Sequence, residues 1–357
     1  MTEDSLLERT LSQNLSWNRA RIKFLSKFLI ALFAAKTVNL TQIAVFFSGR
    51  AKVDSNYKRI KRFLRFFEIS EAELARLIVR WMKLEPRFRL SIDRTEWQLG
   101  KRWVNILMLA IISESGVAIP LLWLVFEKKG CSDARERQEI LERFLRIFPV
   151  TTIEFVTADR EFACFEWLRY LNQQKIPFLL RIKASALITD KRGGKMRASK
   201  LLRCARVGEK IYCRRRRRLC GVAVAVAGMK KADGDNVIVI ASAKSANNLL
   251  SNYCLRWQIE TLFGCLKTRG FRLEETHLTE RDRVSRLLAL LTLAFCWALL
   301  SGQLICQAKA LKTKKHGRRE KSVFRVGLDY LRRFFCRPAN QGQKRERKQL
   351  ILLLSRT

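Results

Sequence analysis

The sequence predicts an α/β protein, in which a core of mixed strands and helices is preceded by a helical domain and followed by a helical basic region. Residues 1–85 repeat apolar side chains at helical spacing, without strand-like alternation. Residues 86–300 mix short apolar runs with amphipathic stretches, and a β-rich insertion interrupts them at 184–248. Residues 301–357 form the basic C-terminal tail. With 357 residues and 48% hydrophobic side chains, the chain can bury a large core, which excludes a mainly disordered polyelectrolyte.

Charge is the strongest compositional signal. The chain has 71 Lys and Arg against 32 Asp and Glu, a net charge of +39. So large an excess repels itself unless a polyanion is present, and nucleic acid is the usual one, although an anionic membrane surface would also balance it. Ten cysteines without a C-x-x-C pair, and only two histidines, exclude the common zinc-ligand clusters. With no signal peptide visible, we expect a cytoplasmic, nucleoid-associated protein with reduced thiols.

The segment 54–67 in the N-terminal region predicts an amphipathic basic helix. Its apolar positions make one stripe: Ile60, Phe63, Leu64 and Phe67. Four cations at the same spacing make a second stripe on the opposite face: Lys58, Lys61, Arg62 and Arg65. Together with LTQIAVFF before it, this segment reads as a helix–turn–helix that presents cations to DNA phosphates, or as an ordinary solvated basic face.

The segment 87–183 predicts five strands and two helices. RLSIDRTEW, WVNILMLAIIS and VAIPLLWLVF read as three consecutive strands, with turns near Gly100 and at SESG. A helix capped at Ser132 or Asp133 and ended by Pro149 follows, then the strand TIEFVTAD, a second helix and the strand IPFLLRIK. The order β-β-β-α-β-α-β is that of the ribonuclease-H-like fold.

The insertion and the tail carry further basic runs. Arg214–Arg218 is predicted to lie inside a strand, as a solvated run or as an edge that faces DNA. Leu287–Cys306 is about as long as a membrane span, but its polar interruptions favour a helix buried in the protein. The tail beyond it is basic, and its cations include Lys312, Lys314, Lys315, Arg318, Arg319, Arg332, Arg333, Lys344, Arg345, Arg347 and Lys348.

Two aspartates stand where the predicted sheet brings strands together. Asp93 lies within the apolar run of the first strand, where a charge is costly unless it is paired or bound to a metal ion. Asp159 closes the fourth strand. Because the first and fourth strands are neighbours in such a sheet, the two carboxylates are expected to converge.

A third carboxylate is predicted on a helix after the insertion. In NYCLRWQIETLFGCLKTRG, four polar residues fall within an arc of about 60° on one face of a continuous helix: Tyr253, Arg256, Glu260 and Lys267. Leucine and isoleucine side chains cluster on the opposite face. We therefore expect an apolar back against the core and an exposed front that carries one carboxylate, two cations and a phenol.

This pattern resembles the insertion-sequence-four family of bacterial DDE transposases. Tyr253-x2-Arg256-x3-Glu260-x6-Lys267 matches that family's Y-R-E-K signature, and IDRT around Asp93 and ADREF around Asp159 are similar to its two aspartate motifs. The resemblance covers roughly residues 87 to 290.

The resemblance implies a metal-dependent transposase that binds terminal inverted repeats and cuts and joins double-stranded DNA. Asp93, Asp159 and Glu260 would hold two Mg²⁺ ions, for which Mn²⁺ is expected to substitute. Tyr253, Arg256 and Lys267 would contact phosphates near the cleaved end. Joining two ends to a target calls for a homodimer in a synaptic complex.

Two alternatives stay open from the residues alone. A structure-selective nuclease or resolvase on the same fold needs the carboxylates but not the contacts to the cleaved end. A basic DNA-binding protein without catalysis explains the charge, but gives no reason to place Asp93 in an apolar strand. Some family members stack a flipped base on a tryptophan of the insertion, whereas this chain has none between Trp167 and Trp257 and offers Tyr212 or Trp257 instead.

Overall fold

A computed structural model describes residues 3–190, 192–243, 247–308, 311, 314, 320–335 and 341–355. Four of the tail cations named above lie outside the described residues: Lys312, Lys315, Arg318 and Arg319. The described part of the chain combines one large, mostly antiparallel sheet with twelve α-helices.

The N-terminal region is helical, as predicted. It contains five helices: α1 (Glu3–Ser12), α2 (Arg19–Ala35), α3 (Leu40–Val45), α4 (Val53–Phe66) and α5 (Glu71–Trp81). The Asn18 side chain caps α2 by accepting a hydrogen bond from the backbone N–H of Arg21. Phe24 of α2 stacks on Phe63 of α4, with ring centroids 4.1 Å apart. This stacking fixes α4 by its apolar stripe and leaves its basic stripe outside.

The predicted order of strands and helices in the next segment is confirmed. It contains β1 (Phe88–Leu99), β2 (Arg102–Ile111), β3 (Ile119–Phe126), α6 (Ala134–Ile147), β4 (Ile153–Ala158), α7 (Phe165–Gln173) and β5 (Phe178–Arg181). These strands lie in the order β3-β2-β1-β4-β5, in which β1, β4 and β5 run parallel. Asp133 caps α6 through a capping box with Glu136.

The β-rich insertion extends the same sheet. Its strands are β6 (Leu187–Thr189), β7 (Lys195–Arg197), β8 (Lys210–Tyr212), β9 (Arg217–Leu219), β10 (Val222–Met229) and β11 (Val237–Ala241). Strand β11 pairs with β5, and β10 pairs with β11, so that the sheet has eleven strands in the part of the chain that the structure describes. The prediction that Arg214–Arg218 lies in one strand is wrong, because the chain bends at Arg214 and Arg215 and only Arg217 and Arg218 belong to β9.

Helices complete the chain. They are α8 (Leu249–Cys254), α9 (Trp257–Leu266), α10 (Arg281–Ala308), α11 (Val323–Phe335) and α12 (Gln341–Leu352). Among the described residues, α10 alone is long and apolar enough to cross a membrane, and 83% of its most apolar window is buried inside the protein. A core helix is therefore the interpretation that the packing favours. The predicted boundary between residues 300 and 301 falls within α10.

Helices α10 and α11 cross at backbone contact. A Cβ atom added to Gly327 would lie 1.8 Å from the carbonyl oxygen of Ala298, and one added to Gly302 would lie 2.0 Å from that of Val323. The basic tail is thus partly core, since Arg347 is buried and donates to the carbonyl oxygen of Phe334. The remaining described tail cations outside α11 lie exposed: Lys314, Lys321, Lys344, Arg345 and Lys348.

Candidate active site

The sheet brings the two aspartates together. Ser91 of β1 and Thr157 of β4 are partners in the parallel register. Asp93 and Asp159 each follow two residues later. Because side chains two residues apart point to the same side of a strand, both carboxylates project from the same face of the sheet. Strand β4 ends at Ala158, and Asp159 begins the turn that follows it. The expected convergence is therefore built into the register of β1 and β4.

Asp93 is a desolvated carboxylate. Its side chain is 16% exposed, and burial raises its pKa to about 6, against the opposing effects of Arg256 and of a hydrogen bond from the backbone N–H of Arg94. That N–H lies 2.8 Å from Oδ1 of Asp93. The carboxylate is thus held in an orientation that turns Oδ2 toward Arg256.

The Arg256 guanidinium joins Asp93 to Glu260. Its Nη1 lies 3.2 Å from Oδ2 of Asp93, and its Nη2 lies 2.6 Å from Oε1 of Glu260. The Arg256 side chain is 5% exposed, whereas the Glu260 side chain is 39% exposed. A buried cation therefore sits between two of the three predicted metal ligands, and Glu260 is close to Asp93 as expected.

The prediction of one continuous helix with an exposed front is wrong. The segment forms two helices, α8 and α9, joined at Leu255 and Arg256 by hydrogen bonds of the i→i+3 type. The tighter turn changes the helical phase, and Tyr253 and Arg256 face the core with exposures of 6% and 4%. Of the four signature residues, Glu260 and Lys267 keep partial exposure.

Asp159 has partners of its own. The Tyr253 hydroxyl donates to Oδ1 of Asp159 at 3.2 Å, and Nη1 of Arg181 lies 3.9 Å from the same oxygen. Burial raises the pKa of Tyr253, so the phenol is a neutral donor. Arg181 closes β5, and nothing in the apolar run FLLRIK distinguishes it from an ordinary strand-end cation. Arg181 was therefore not predicted as a site residue from the sequence.

Lys267 lies at the end of α9 against β1. Its ammonium is 2.6 Å from Oε1 of Glu274 and 3.3 Å from the carbonyl oxygen of Glu96, and it stands over the Trp97 ring. In this state the lysine is engaged within the protein. A phosphate that binds Lys267 has to share it with Glu274.

A basic cleft of about 400 Å³ adjoins Tyr253. Its lining combines four cations, Arg181, Lys210, Lys231 and Arg256, with apolar side chains of β10, β11 and α8. Trp257, 59% exposed, stands on its edge. The insertion and the signature helices form this cleft together, since the insertion strands continue the central sheet.

The N-terminal helices present a second basic surface. The four predicted contacts on α4 are all exposed: Lys58, Lys61, Arg62 and Arg65. A groove of about 620 Å³ between α2 and α4 collects five cations and no carboxylate: Arg21, Lys23, Lys27, Arg59 and Arg62. The cations of α2 escaped the sequence analysis, because helical spacing on α4 alone does not reveal which helix lies beside it.

The donor set at Asp93, Asp159 and Glu260 suits a hard divalent cation, because carboxylate oxygens are the ligands that Mg²⁺ and Mn²⁺ prefer. Among the residues that the structure describes, no three His, Cys, Asp or Glu side chains are grouped closely enough to hold a metal ion as they stand. Arg256 explains why the carboxylates of Asp93 and Glu260 are held apart, since its guanidinium lies between them and supplies the positive charge there. Rotation of the partly exposed Glu260 side chain would free its oxygens.

Comparison with known proteins identifies the family. The family described as "Transposase DDE domain" matches residues 87–297, more than half of the chain. No curated protein sequence matches the chain. Among solved structures, the chain is similar to the piggyBac transposase in its synaptic complex with hairpin DNA, with a TM-score of 0.47 and 14% identity, over 94% of this chain and 76% of that one. The match over residues 87–297 shows that the chain belongs to the transposase DDE domain family.

Proposed function

We propose that this protein is a cut-and-paste DNA transposase of the insertion-sequence-four type, with a ribonuclease-H-like core. The observation that carries the proposal is the buried Arg256 side chain, which contacts the carboxylates of Asp93 and Glu260, beside a strand register that places Asp159 next to Asp93. These carboxylates come from three separate elements, and Asp93 and Glu260 are bridged by Arg256 at 3.2 and 2.6 Å. A protein that only packages DNA has no use for a desolvated aspartate at that point.

The proposed reaction cuts and rejoins phosphodiester bonds. Water first frees a 3′-hydroxyl at the transposon end, and that hydroxyl then attacks a target phosphodiester. Asp93, Asp159 and Glu260 would hold two Mg²⁺ or Mn²⁺ ions, which when bound activate the attacking oxygen and stabilise the leaving oxygen. The carboxylates have to be ionised for this role, and the nearby guanidinium of Arg256 favours the ionised form of Asp93.

Arg256 and Tyr253 act as positioning residues in this proposal. Arg256 is buried and holds Asp93 and Glu260, and Tyr253 is buried and donates to Asp159. Both side chains also line the basic cleft, so their contact with DNA phosphates, which the family resemblance implies, would compete with these carboxylate contacts. Lys267 keeps partial exposure, and a phosphate that binds it would share its ammonium with Glu274.

DNA is the proposed partner, both as transposon ends and as target. The exposed cations of α4 and the groove between α2 and α4 lie on one helical unit, which suits binding to the phosphates of a terminal inverted repeat. A homodimer would hold two ends in one synaptic complex. The cytoplasm, close to the nucleoid, is the compartment in which such a protein would act.

The test is cleavage and joining, in Mg²⁺, of duplexes that carry any short inverted repeats found in the DNA flanking the gene. We expect Asp93→Asn, Asp159→Asn and Glu260→Gln each to abolish cleavage while DNA binding is retained. Glu280→Gln on the surface is the matched control, because it removes one carboxylate that is 56% exposed and pairs with Arg283 instead of Arg256. Cleavage at the normal rate by any of the three variants would contradict the assignment. Cleavage without joining would instead indicate a nuclease.

A further inference from the structure

The turn between β10 and β11 places an aspartate beside the candidate site. The Asp235 carboxylate Oδ1 accepts hydrogen bonds from Nη1 of Arg160 at 2.9 Å and from Nη2 of Arg181 at 2.8 Å. Arg160 directly follows Asp159 in the chain, and Arg181 approaches Asp159 with its other terminal nitrogen. One oxygen of Asp235 therefore holds two guanidinium groups next to a proposed metal ligand.

Two arginines that converge on one anionic oxygen form a geometry suited to phosphate. Arg181 is 13% exposed and its Nε is buried without a hydrogen-bond partner, so the pair has donor capacity that Asp235 does not use. Hydrogen bonding from Arg181 lowers the pKa of Asp235, which keeps the carboxylate charged. The site is thus an anion-binding site that an internal carboxylate fills.

The position of this site fits a strand of DNA. Arg181 also lines the basic cleft, together with Lys210 and Lys231, and the cleft reaches Tyr253, which contacts Asp159. A strand whose scissile phosphate lies at Asp159 has neighbouring phosphates on either side of it. Arg160 follows Asp159 in the chain, and Arg181 lies 3.9 Å from the Asp159 carboxylate. A neighbouring phosphate of the same strand would pass close to both arginines.

The position of Asp235 would allow its carboxylate to move away from the two arginines. Its side chain is 43% exposed, and it lies in a turn outside both strands, next to Gly234 with a φ of +77°. Arg181, by contrast, is anchored in β5 between β4 and β11. The carboxylate is therefore the mobile partner of the contact, and the arginine is the fixed one.

We propose that Arg160 and Arg181 form a phosphate-binding site for DNA, and that Asp235 occupies this site until a DNA phosphate displaces it. The inference rests on the proposed function and adds an internal competitor to it. Each DNA-binding event breaks two carboxylate–guanidinium contacts and forms phosphate–guanidinium contacts, with no change in covalent bonds. Asp235 thereby weakens DNA binding at the active site.

The test measures binding of a fluorescent duplex DNA to the full chain, in EDTA so that no cleavage occurs. We expect Asp235→Asn to bind about fivefold more tightly, the size expected when two partly exposed charged contacts no longer compete. Asp233→Asn is the matched control. It removes the same charge from the same turn, is 62% exposed, pairs with Lys231 at 3.6 Å, and as asparagine can still accept the backbone hydrogen bond from residue 235.

A second set of variants tests the role of the arginines. In an Arg160→Gln background, Asp235→Asn should give less than half of its gain in affinity, because one of the two released donors is missing. An equal gain from Asp233→Asn, or a full gain in the Arg160→Gln background, would show a general charge effect and overturn the proposal. Unchanged or weaker DNA binding by Asp235→Asn would also overturn the proposal. Melting curves verify that both aspartate variants fold.

This outcome is separable from the proposed function. If the wild-type protein cleaves and joins DNA but Asp235→Asn does not bind DNA more tightly than Asp233→Asn, only the competitor role falls. If the wild-type protein neither binds nor cleaves duplex DNA, the transposase proposal fails and the competitor role fails with it.

Discussion

Replacement of Asp93 by asparagine should stabilise the folded protein at neutral pH. Burial raises the pKa of Asp93 from its ordinary value of 3.8 to about 6. The folded state therefore holds its proton more tightly than the unfolded state does. The stability that the protonated form contributes is complete below the ordinary value and is lost as the pH rises through about 6. An asparagine side chain at this position is neutral at every pH and escapes this loss.

The magnitude follows from the size of the pKa shift. A shift of about two pH units at about 1.4 kcal/mol per unit gives an upper limit of about 3 kcal/mol. The free energy of unfolding of Asp93→Asn, minus that of the wild type, should thus grow by up to about 3 kcal/mol between about pH 4 and pH 7. Urea unfolding at a series of pH values, in EDTA, measures both curves.

The control is Asp282→Asn, which neutralises an exposed carboxylate at the start of α10. Its free energy of unfolding should stay within about 0.5 kcal/mol of the wild type across the same range. A difference curve for Asp93→Asn that is flat, or that falls with rising pH, would refute the reasoning. In that case Asp93 would be stabilised by Arg256 more than it is penalised by burial.

Four further outcomes are expected. Mg²⁺ should raise the melting temperature of the wild type but not of Asp93→Asn, by mass action on the folded state, as differential scanning fluorimetry would show. Arg256→Gln should destabilise the protein by about 3 kcal/mol in urea, and less in an Asp93→Asn background; additive effects would deny the contact. Arg59→Ala should lower the salt dependence of DNA binding by about one unit of slope, and an unchanged slope would exclude the groove as a phosphate site. Gly327→Ala should cost about 3 kcal/mol or more in urea unfolding, whereas Gly264→Ala, which meets only the flexible Arg269 side chain, should be neutral or stabilising.

The core strands could be predicted because their signals are local. Short apolar runs between turn residues identify β1 to β5, and the position of Asp93 within one run already indicates an unusual carboxylate. The pairing of β11 with β5 could not be predicted, because about sixty residues separate these strands and either edge of an insertion can pair with a neighbour. The insertion thus looked like a separate unit in sequence and is part of the sheet in space.

The sequence predicts which residues form the candidate site better than it predicts their arrangement. Asp93, Asp159 and Glu260 are expected from their motifs, and the structure shows Arg256 in contact with the carboxylates of Asp93 and Glu260. The burial of Arg256 depends on a tight turn at Leu255, where neither proline nor glycine signals a break. An ideal helical wheel applied across that turn assigns the arginine to the wrong side. The partner role of Asp235 depends on a turn brought near by the sheet, which no local pattern encodes.

The glycine crossing between α10 and α11 makes the C-terminal segment inseparable from the rest of the molecule. Two helices whose backbones touch leave no layer of side chains that could repack, so removal of α11 would bare a long strip of α10 to water. A shortened protein ending near residue 320 should therefore aggregate on expression instead of persisting as a weaker DNA binder. If the chain is the proposed transposase, a frameshift late in the gene would abolish its activity almost as surely as one near the start.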